Sequence, residues 1–309
     1  MTSMTSTMPA PGLPAPDPMP GPRPATQGSP PAPGKPPEVE EWIDGHFHRP
    51  LAGLLVRLLV HTSITPNQVT LISALVGAAS GYALTRGLES PRWLLVAASL
   101  LLLAVVFDCA DGQLARARGM SSTYGAMLDG IADYVVGLSV GIGGSWFMVN
   151  THHSVWYALL GLTGVASIAV QSALFDNTKT RYIARIRTGY VEREDDLEKI
   201  EQERRTAWRE RRLRDTLLMM IYLQYTRAQQ AAMVIPVAAD PEQFRARHRG
   251  RMRIWTWLGT GTHFALAYSA VALAAVWPAA VAAYFLLHLT LLNLFLGVLV
   301  LQEKRAGGA

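Results

Sequence analysis

Residues 107–134 read FDCADGQLARARGMSSTYGAMLDGIADY, which sets four aspartates, Asp108, Asp111, Asp129 and Asp133, among Leu, Ala and Val. On a helix, residues three or four apart share a face. Asp108 and Asp111 therefore form one acidic stripe, continued by Ala115, and Gly125, Asp129 and Asp133 form a second. The stretch from Gly119 to Thr123 is short enough to make the two helices antiparallel neighbours, so two carboxylates from each face one another. Four carboxylates in so apolar a setting repel one another and cannot all ionise without a counter-charge between them. Arg116 supplies one positive charge, from the edge of the turn. Divalent ions meet the need better, because Mg²⁺ or Mn²⁺ prefers oxygen ligands and shares them with substrate phosphates. Two such ions ~4 Å apart clamp a pyrophosphate and lower the barrier to displacement at phosphorus. Gly112 and Gly125 remove side chains where a nucleotide or the opposite helix must approach.

The rest of the chain suits a membrane. Half of its 309 residues are hydrophobic and 17% are charged, too apolar for a soluble domain with a solvated shell. Six apolar runs, at 67–86, 93–107, 131–149, 155–175, 254–277 and 279–301, approach the ~20 residues that a helix needs to cross a bilayer. The expected fold is all-α, a polytopic membrane protein of about six spans. Cys109 is the single cysteine, which excludes an internal disulfide and a multi-cysteine zinc site.

Charge orients the spans. Residues 177–253 hold 18 of the 28 basic residues against 11 acidic ones, including RERRLR at 209–214 and RARHRGRMR at 245–253. Basic residues beside spans mark the cytoplasmic side. The opposite turns, GLESP at 87–91, NTHHS at 150–154 and WPAA at 277–280, carry neither Lys nor Arg. Both termini and the aspartates are then expected at the cytoplasmic face of the cell's inner membrane.

Six segments follow from composition. Residues 1–38 form a proline-rich tail expected to be disordered, with no secretory signal. Residues 39–65 place Leu51, Leu54, Leu55, Leu58 and Leu59 at helical spacing beside His48, Arg57 and His61, the pattern of an interfacial amphipathic helix. Thr65 and Pro66 open the first span. Residues 66–176 hold four spans and the acidic motif, 177–253 a basic cytoplasmic insert, 254–302 the last two spans, and 303–309 a short tail. The insert's basic amphipathic stretch fits a solvated helix, anionic head groups or a second copy of the chain.

The fixed positions Asp108-x2-Asp111-Gly112-x2-Ala115-Arg116-x8-Gly125-x3-Asp129-x3-Asp133 resemble the signature of the CDP-alcohol phosphotransferases, the membrane enzymes of phospholipid head-group synthesis. Every fixed residue and spacing agrees, and the resemblance extends over most of residues 40–302. It implies that Asp108, Asp111 and Asp129 are metal ligands, and that Asp133 completes a second metal site and acts as general base. It implies too that Gly112, Ala115 and Arg116 receive a cytidine nucleotide, with Ser122 and the segment from Asn67 to Thr70 helping to hold it. The implied cofactors are two Mg²⁺ or Mn²⁺ ions. The implied partners are a CDP-linked donor (CDP-diacylglycerol or a CDP-alcohol), an alcohol acceptor, membrane lipid and a second copy of the chain. No nucleic-acid partner is expected.

Other readings stand beside this one. Intramembrane acids also serve ion or proton pathways, so a coupled transporter is the alternative function. His152 and His153 read as surface residues in an outer turn, and His263 and His288 as core histidines or acceptor contacts. Trp146, Trp156, Trp255 and Trp257 read as interfacial anchors. The glycines of GLSVGIGG at 137–144 read as close helix contacts. Arg181, Arg185 and Arg187 follow the fourth span, where they serve either as positive-inside residues or as binders of a phosphorylated acceptor.

Overall fold

The structure, a computed structural model, describes residues 36–120, 123–186, 194–212 and 240–307, with Asp215, Thr216, Met219, Met220 and Leu223 between. Ser122, Arg187 and the tail before Pro36 lie outside the described residues. Among the described residues every regular element is helical. A 3₁₀ turn at Pro37–Val39 and a π turn at Asp44–His48 lead into α1 (Arg49–Leu59). There follow α2 (Pro66–Thr85), α3 (Pro91–Ala117), α4 (Thr123–His152), α5 (Trp156–Ile186) and α6 (Glu194–Arg209). The last four are α7 (Pro241–Trp255), α8 (Thr260–Ala274), α9 (Ala280–Leu287) and, after a π turn at His288–Leu292, α10 (Asn293–Gly307).

Local chemistry sets the helix starts. Thr65 and Gln68 form a reciprocal capping box, with the Thr65 amide donating to Gln68 Oε1 at 2.8 Å, and Pro66 occupies the first turn of α2. Ser90 caps α3 ahead of Pro91, and Asp240 caps α7 ahead of Pro241. At the end of α3, Gly119 takes φ +64°, and the Met120 amide reaches back to the Ala115 carbonyl at 2.8 Å. This left-handed glycine lets the chain reverse sharply before α4 begins.

Among the described residues five helices are long and apolar enough to cross a membrane: Pro66–Leu88, Pro91–Ala117, Met127–His152, Trp156–Ile186 and Ala280–Glu303. The protein is a polytopic membrane protein. The expected span at 254–277 takes another form. A 3₁₀ turn at Thr256–Leu258 and extended Gly259 divide the run, leaving α8 with 15 residues, about 22 Å of helix. An apolar run does not by itself keep a helix continuous.

Helix contacts are close where side chains are small. A Cβ on Gly81 would collide with the Ser139 carbonyl, one on Gly143 with the Gly81 carbonyl, and one on Gly77 with Val136. These contacts seat α4 directly on α2, so GLSVGIGG is a packing surface. Ser73 and Ser80 on α2 donate to the Ala104 and Ala97 carbonyls of α3 at 2.9 and 2.8 Å. Leu101, Val136 and Ala267 bring α3, α4 and α8 into one core cluster. One face of α1 packs Leu51, Ala52, Leu55, Val56 and Leu59 against α3, while Leu54 and Leu58 stay exposed.

Candidate active site

The end of α3 and the start of α4 carry the four aspartates. One carboxylate oxygen from each of Asp108, Asp111 and Asp129 lies within 4.8 Å of the others; Asp111 is buried and the other two are half-buried. Asp133 stands beside this trio, lining with Asp108 a cavity of about 90 Å³ whose walls include Ser73, Cys109, Val136 and Phe264. The two stripes thus converge as three clustered acids and a fourth at the adjoining cavity.

Thr70 lies against the acid cluster. Its hydroxyl donates to Asp111 Oδ2, fully buried, beside the Pro66 carbonyl. A ligand carboxylate held this way presents a fixed oxygen. Asn67 is half-buried one turn earlier on α2. Arg116 is exposed, and its Nη1 lies 3.4 Å from where a Cβ on Gly112 would stand, so the guanidinium lies over the glycine backbone. Ala115 and Gly125 are half-buried in the same two turns. The donor set is all carboxylate oxygen, which suits a hard divalent cation and not zinc or copper(I).

Arg118 escaped the sequence reading. It donates to the carbonyls of Ile64, Leu59 and Thr62 at 2.5, 2.6 and 2.6 Å, fastening the turn between α1 and α2 to the end of α3. Two residues from Arg116, it points to the opposite side of the helix. Carbonyl partners leave no mark in a sequence.

The wall opposite α3 and α4 also comes from unexpected residues. Glu41 and Asp44, ahead of α1, line the acid cavity together with Thr260 and Gly261 of α8. The buried Glu41 carboxylate accepts from the Thr262 amide at 2.7 Å, the Thr262 hydroxyl at 2.9 Å and the Gly261 amide at 3.3 Å. Burial and the nearby Asp44 charge push its carboxyl up to about 7 despite these three bonds. Asp44 pairs with buried His48 at 2.8 Å. Glu38, which composition assigns to the tail, is 3% exposed. It accepts from Tyr182 at 2.8 Å and from Arg245 at 2.6 and 3.0 Å.

A second cavity, about 400 Å³, lies between α5, α7 and α10 and is lined by Arg181, Arg185, His248 and Arg251 with Tyr182 and Phe244. α5 continues well past the expected end of its span, which carries Arg181 and Arg185 to this cavity. His263 and His288 are buried and bonded to each other at 3.1 Å, as core residues. His152 stacks on Tyr157, and His153 holds φ 51° in the turn after α4.

An all-helical membrane protein with an oxygen-donor acid cluster where two spans turn back on each other defines a narrow class. Residues 63–239, more than half of the chain, match the CDP-alcohol phosphatidyltransferase family, and the chain belongs to it. It is 32% identical over 137 residues to a bifunctional IPC transferase and DIPP synthase of Thermococcus kodakarensis, covering 43% of this chain and 29% of that one. It is 34% identical over 117 residues to a phosphatidylinositol phosphate synthase of Corynebacterium glutamicum, covering 38% of this chain and 51% of the relative. The chain spans about half, or less, of the curated relatives it matches.

Proposed function

We propose that the protein moves a phosphatidyl or phospho-alcohol group from a CDP-linked donor to an alcohol, releasing CMP, in phospholipid synthesis. The observation that carries this reading is the trio of carboxylate oxygens within 4.8 Å beside the Asp133 cavity. Asp108, Asp111 and Asp129 would hold Mg²⁺ or Mn²⁺, with Asp133 completing a second site, and cations there would supply the positive charge that offsets the pyrophosphate and the departing CMP. Thr70 keeps Asp111 in its ligating orientation. Gly112 and Gly125 leave room for the nucleotide, and Arg116 pairs with a phosphate. Asp133 takes the proton of the acceptor hydroxyl as the new P–O bond forms and the bond to CMP breaks.

The acceptor is a phosphorylated polyol. Three arginines and a histidine lining the second cavity, against one carboxylate, Glu303, paired with Arg251, support that choice, as does the relative named for phosphatidylinositol phosphate synthesis. In this reading the protein lies in the inner membrane with its active site and termini on the cytoplasmic side, α1 rests in the interface, and two copies pair through their spans. The test is CMP release by the purified protein with Mg²⁺ or Mn²⁺, screened over CDP-diacylglycerol, CDP-choline and CDP-ethanolamine with phosphorylated and plain polyols. Asp133→Asn is expected to abolish turnover while cytidine nucleotide binding persists, and Asp108→Asn to weaken metal-dependent binding as well. Near-normal turnover by Asp133→Asn overturns the general-base role. No CMP with any pairing, together with solute flux into sealed vesicles, favours the transporter.

A further inference from the structure

Residues 37–48 line the acid cavity and bond to one residue of the basic cavity's wall, Tyr182. At one end Glu38 is seated in the guanidinium fork of Arg245 and accepts from Tyr182, a residue of the basic cavity. At the other end Glu41 and Asp44 wall the acid cavity, across from Asp108 and Asp133. The segment is a 3₁₀ turn and a short connection, followed by a helical stretch whose π-helical part, Asp44–His48, runs on into α1. Its polar attachments are Glu38 to α5 and α7, Glu40 to Arg49 at 2.6 Å, and Glu41 to the first turn of α8; beside them Val39 is buried against Phe175 and Trp255, and His48 is fully buried.

The two main anchors differ in kind. Burial raises the Glu38 carboxyl, but the Arg245 and Tyr182 hydrogen bonds outweigh it and hold the group below the usual carboxylate range. Glu41 is held as an anion only against its burial. Glu38 is therefore the firmer anchor. The two sides of its ion pair are unequally covered: the Glu38 side chain is 4% exposed and that of Arg245 is 48% exposed. An anion arriving from solvent meets the open side of Arg245 first, and Tyr182 offers it a hydroxyl from within the basic cavity.

We propose that Pro37–His48 is a strap closing one wall of the acid cavity, latched by Glu38 on Arg245 and Tyr182, and released when a phosphate-bearing ligand engages Tyr182 in the wall of the basic cavity and the solvent-facing side of Arg245 next to it. The latch rests on the reading of that cavity as an anion site. It makes the acid cavity open only when the acceptor has arrived, so the donor is shielded from water until then.

Cys109 provides the measurement. It is the single cysteine and lines the acid cavity beneath the strap, so alkylation by N-ethylmaleimide, followed by intact mass, reads opening at one atom. The full-length protein in nanodiscs is labelled with sodium chloride, with inorganic phosphate and with glycerol 3-phosphate at matched ionic strength. Wild type is expected to react about tenfold faster with either phosphate than with chloride, the worth of one charge-assisted hydrogen bond. Glu38→Gln is expected to react at the faster rate in all three, and Tyr182→Phe, a milder change, at an intermediate rate in chloride. Wild-type rates in Glu38→Gln and Tyr182→Phe overturn the latch. Phosphate binding by calorimetry without faster labelling overturns the trigger and leaves the anion site standing. No phosphate binding, with Glu38→Gln fast, overturns the anion site and keeps the latch.

Discussion

Replacing Thr70 by valine removes one hydroxyl and leaves the shape of the side chain almost unchanged, so it isolates the bond that α2 makes to Asp111. Thr70 is 3% exposed and its hydroxyl donates to Asp111 Oδ2. Water therefore cannot replace the lost donor, and a hydrogen bond to an ionised group is worth about 1.5–3 kcal/mol. If that energy orients the carboxylate for a cation, its loss raises the metal concentration for half-maximal activity by about 10- to 100-fold, the range usual for groups that hold a ligand in place. At saturating metal the turnover is expected to return to within a few-fold of wild type, because the change leaves the carboxylates of Asp108, Asp111, Asp129 and Asp133 in the site. Thr70→Ser keeps the hydroxyl and is expected to restore most of the affinity. Mn²⁺ binding by paramagnetic resonance on the nucleotide-free protein, beside Mg²⁺ titration of CMP release, measures the effect twice. A valine protein with wild-type Mn²⁺ affinity refutes the argument, since Thr70 would then only bridge α2 to α3.

Three further changes probe the frame. Gly81→Ala drives a methyl into the Ser139 carbonyl; overpacking against backbone costs about 1–3 kcal/mol or more, so a lower melting temperature and weaker metal dependence are expected, and an unchanged melt refutes the tight α2–α4 contact. Arg118→Gln removes a fork bound to three carbonyls and is expected to destabilise by about 2 kcal/mol, with Arg118→Lys no rescue because one ammonium cannot span them; a denaturant midpoint like wild type counts against it. Glu41 faces Asp44 on its own segment, Gly261 and Thr262 of α8, and Asp108 and Asp133 across the cavity. With its carboxyl raised from 4.5 to about 7, the folded protein holds a proton that the unfolded chain has lost. That stabilisation is complete below about pH 4.5 and disappears as pH rises through 7, on the order of 3 kcal/mol at full strength. Glu41→Gln is expected to match wild type at pH 5 and exceed it at pH 8; a constant difference between the two pH values refutes the assignment.

The sequence made the acidic half of this arrangement readable because its information is local. Asp108 with Asp111, and Asp129 with Asp133, stand at helical spacings, and the short turn between them reverses the chain so that the stripes converge; that α3 and α4 each pack on α2 and not chiefly on one another is not written in the spacing. Thr65, Pro66 and Gln68 mark a helix start in four consecutive positions. The remainder is set by contacts far apart in the chain. Glu41 meets Thr262 and Glu38 meets Arg245 across more than two hundred residues, from a segment of 3₁₀ and π turns that has neither helical nor strand periodicity. α5 runs on through Lys179, Arg181 and Arg185 because charged residues are good helix formers. Leaving the membrane ends a span, and the helix continues.

The division between local and distant contacts also separates what is rigid from what can move. Around the acid trio, α2, α3 and α4 meet through glycine backbones, the Thr70 bond and serine-to-carbonyl bonds, none of which a solute can contest. The facing wall adds, to the buried Val39 and His48, carboxylates on guanidinium, hydroxyl and amide groups, and those polar contacts an anion or a proton can displace. A cation site needs oxygen atoms fixed to within a fraction of an ångström, and interlocked backbones provide that. Admission of a charged acceptor needs contacts that an arriving charge can break, and ion pairs provide that. If both walls were built from backbone contacts the acid cavity would have no wall that yields; if both were built from ion pairs the trio would scatter under its own repulsion. The strap is thus the one side of the cavity where opening costs no ligand geometry.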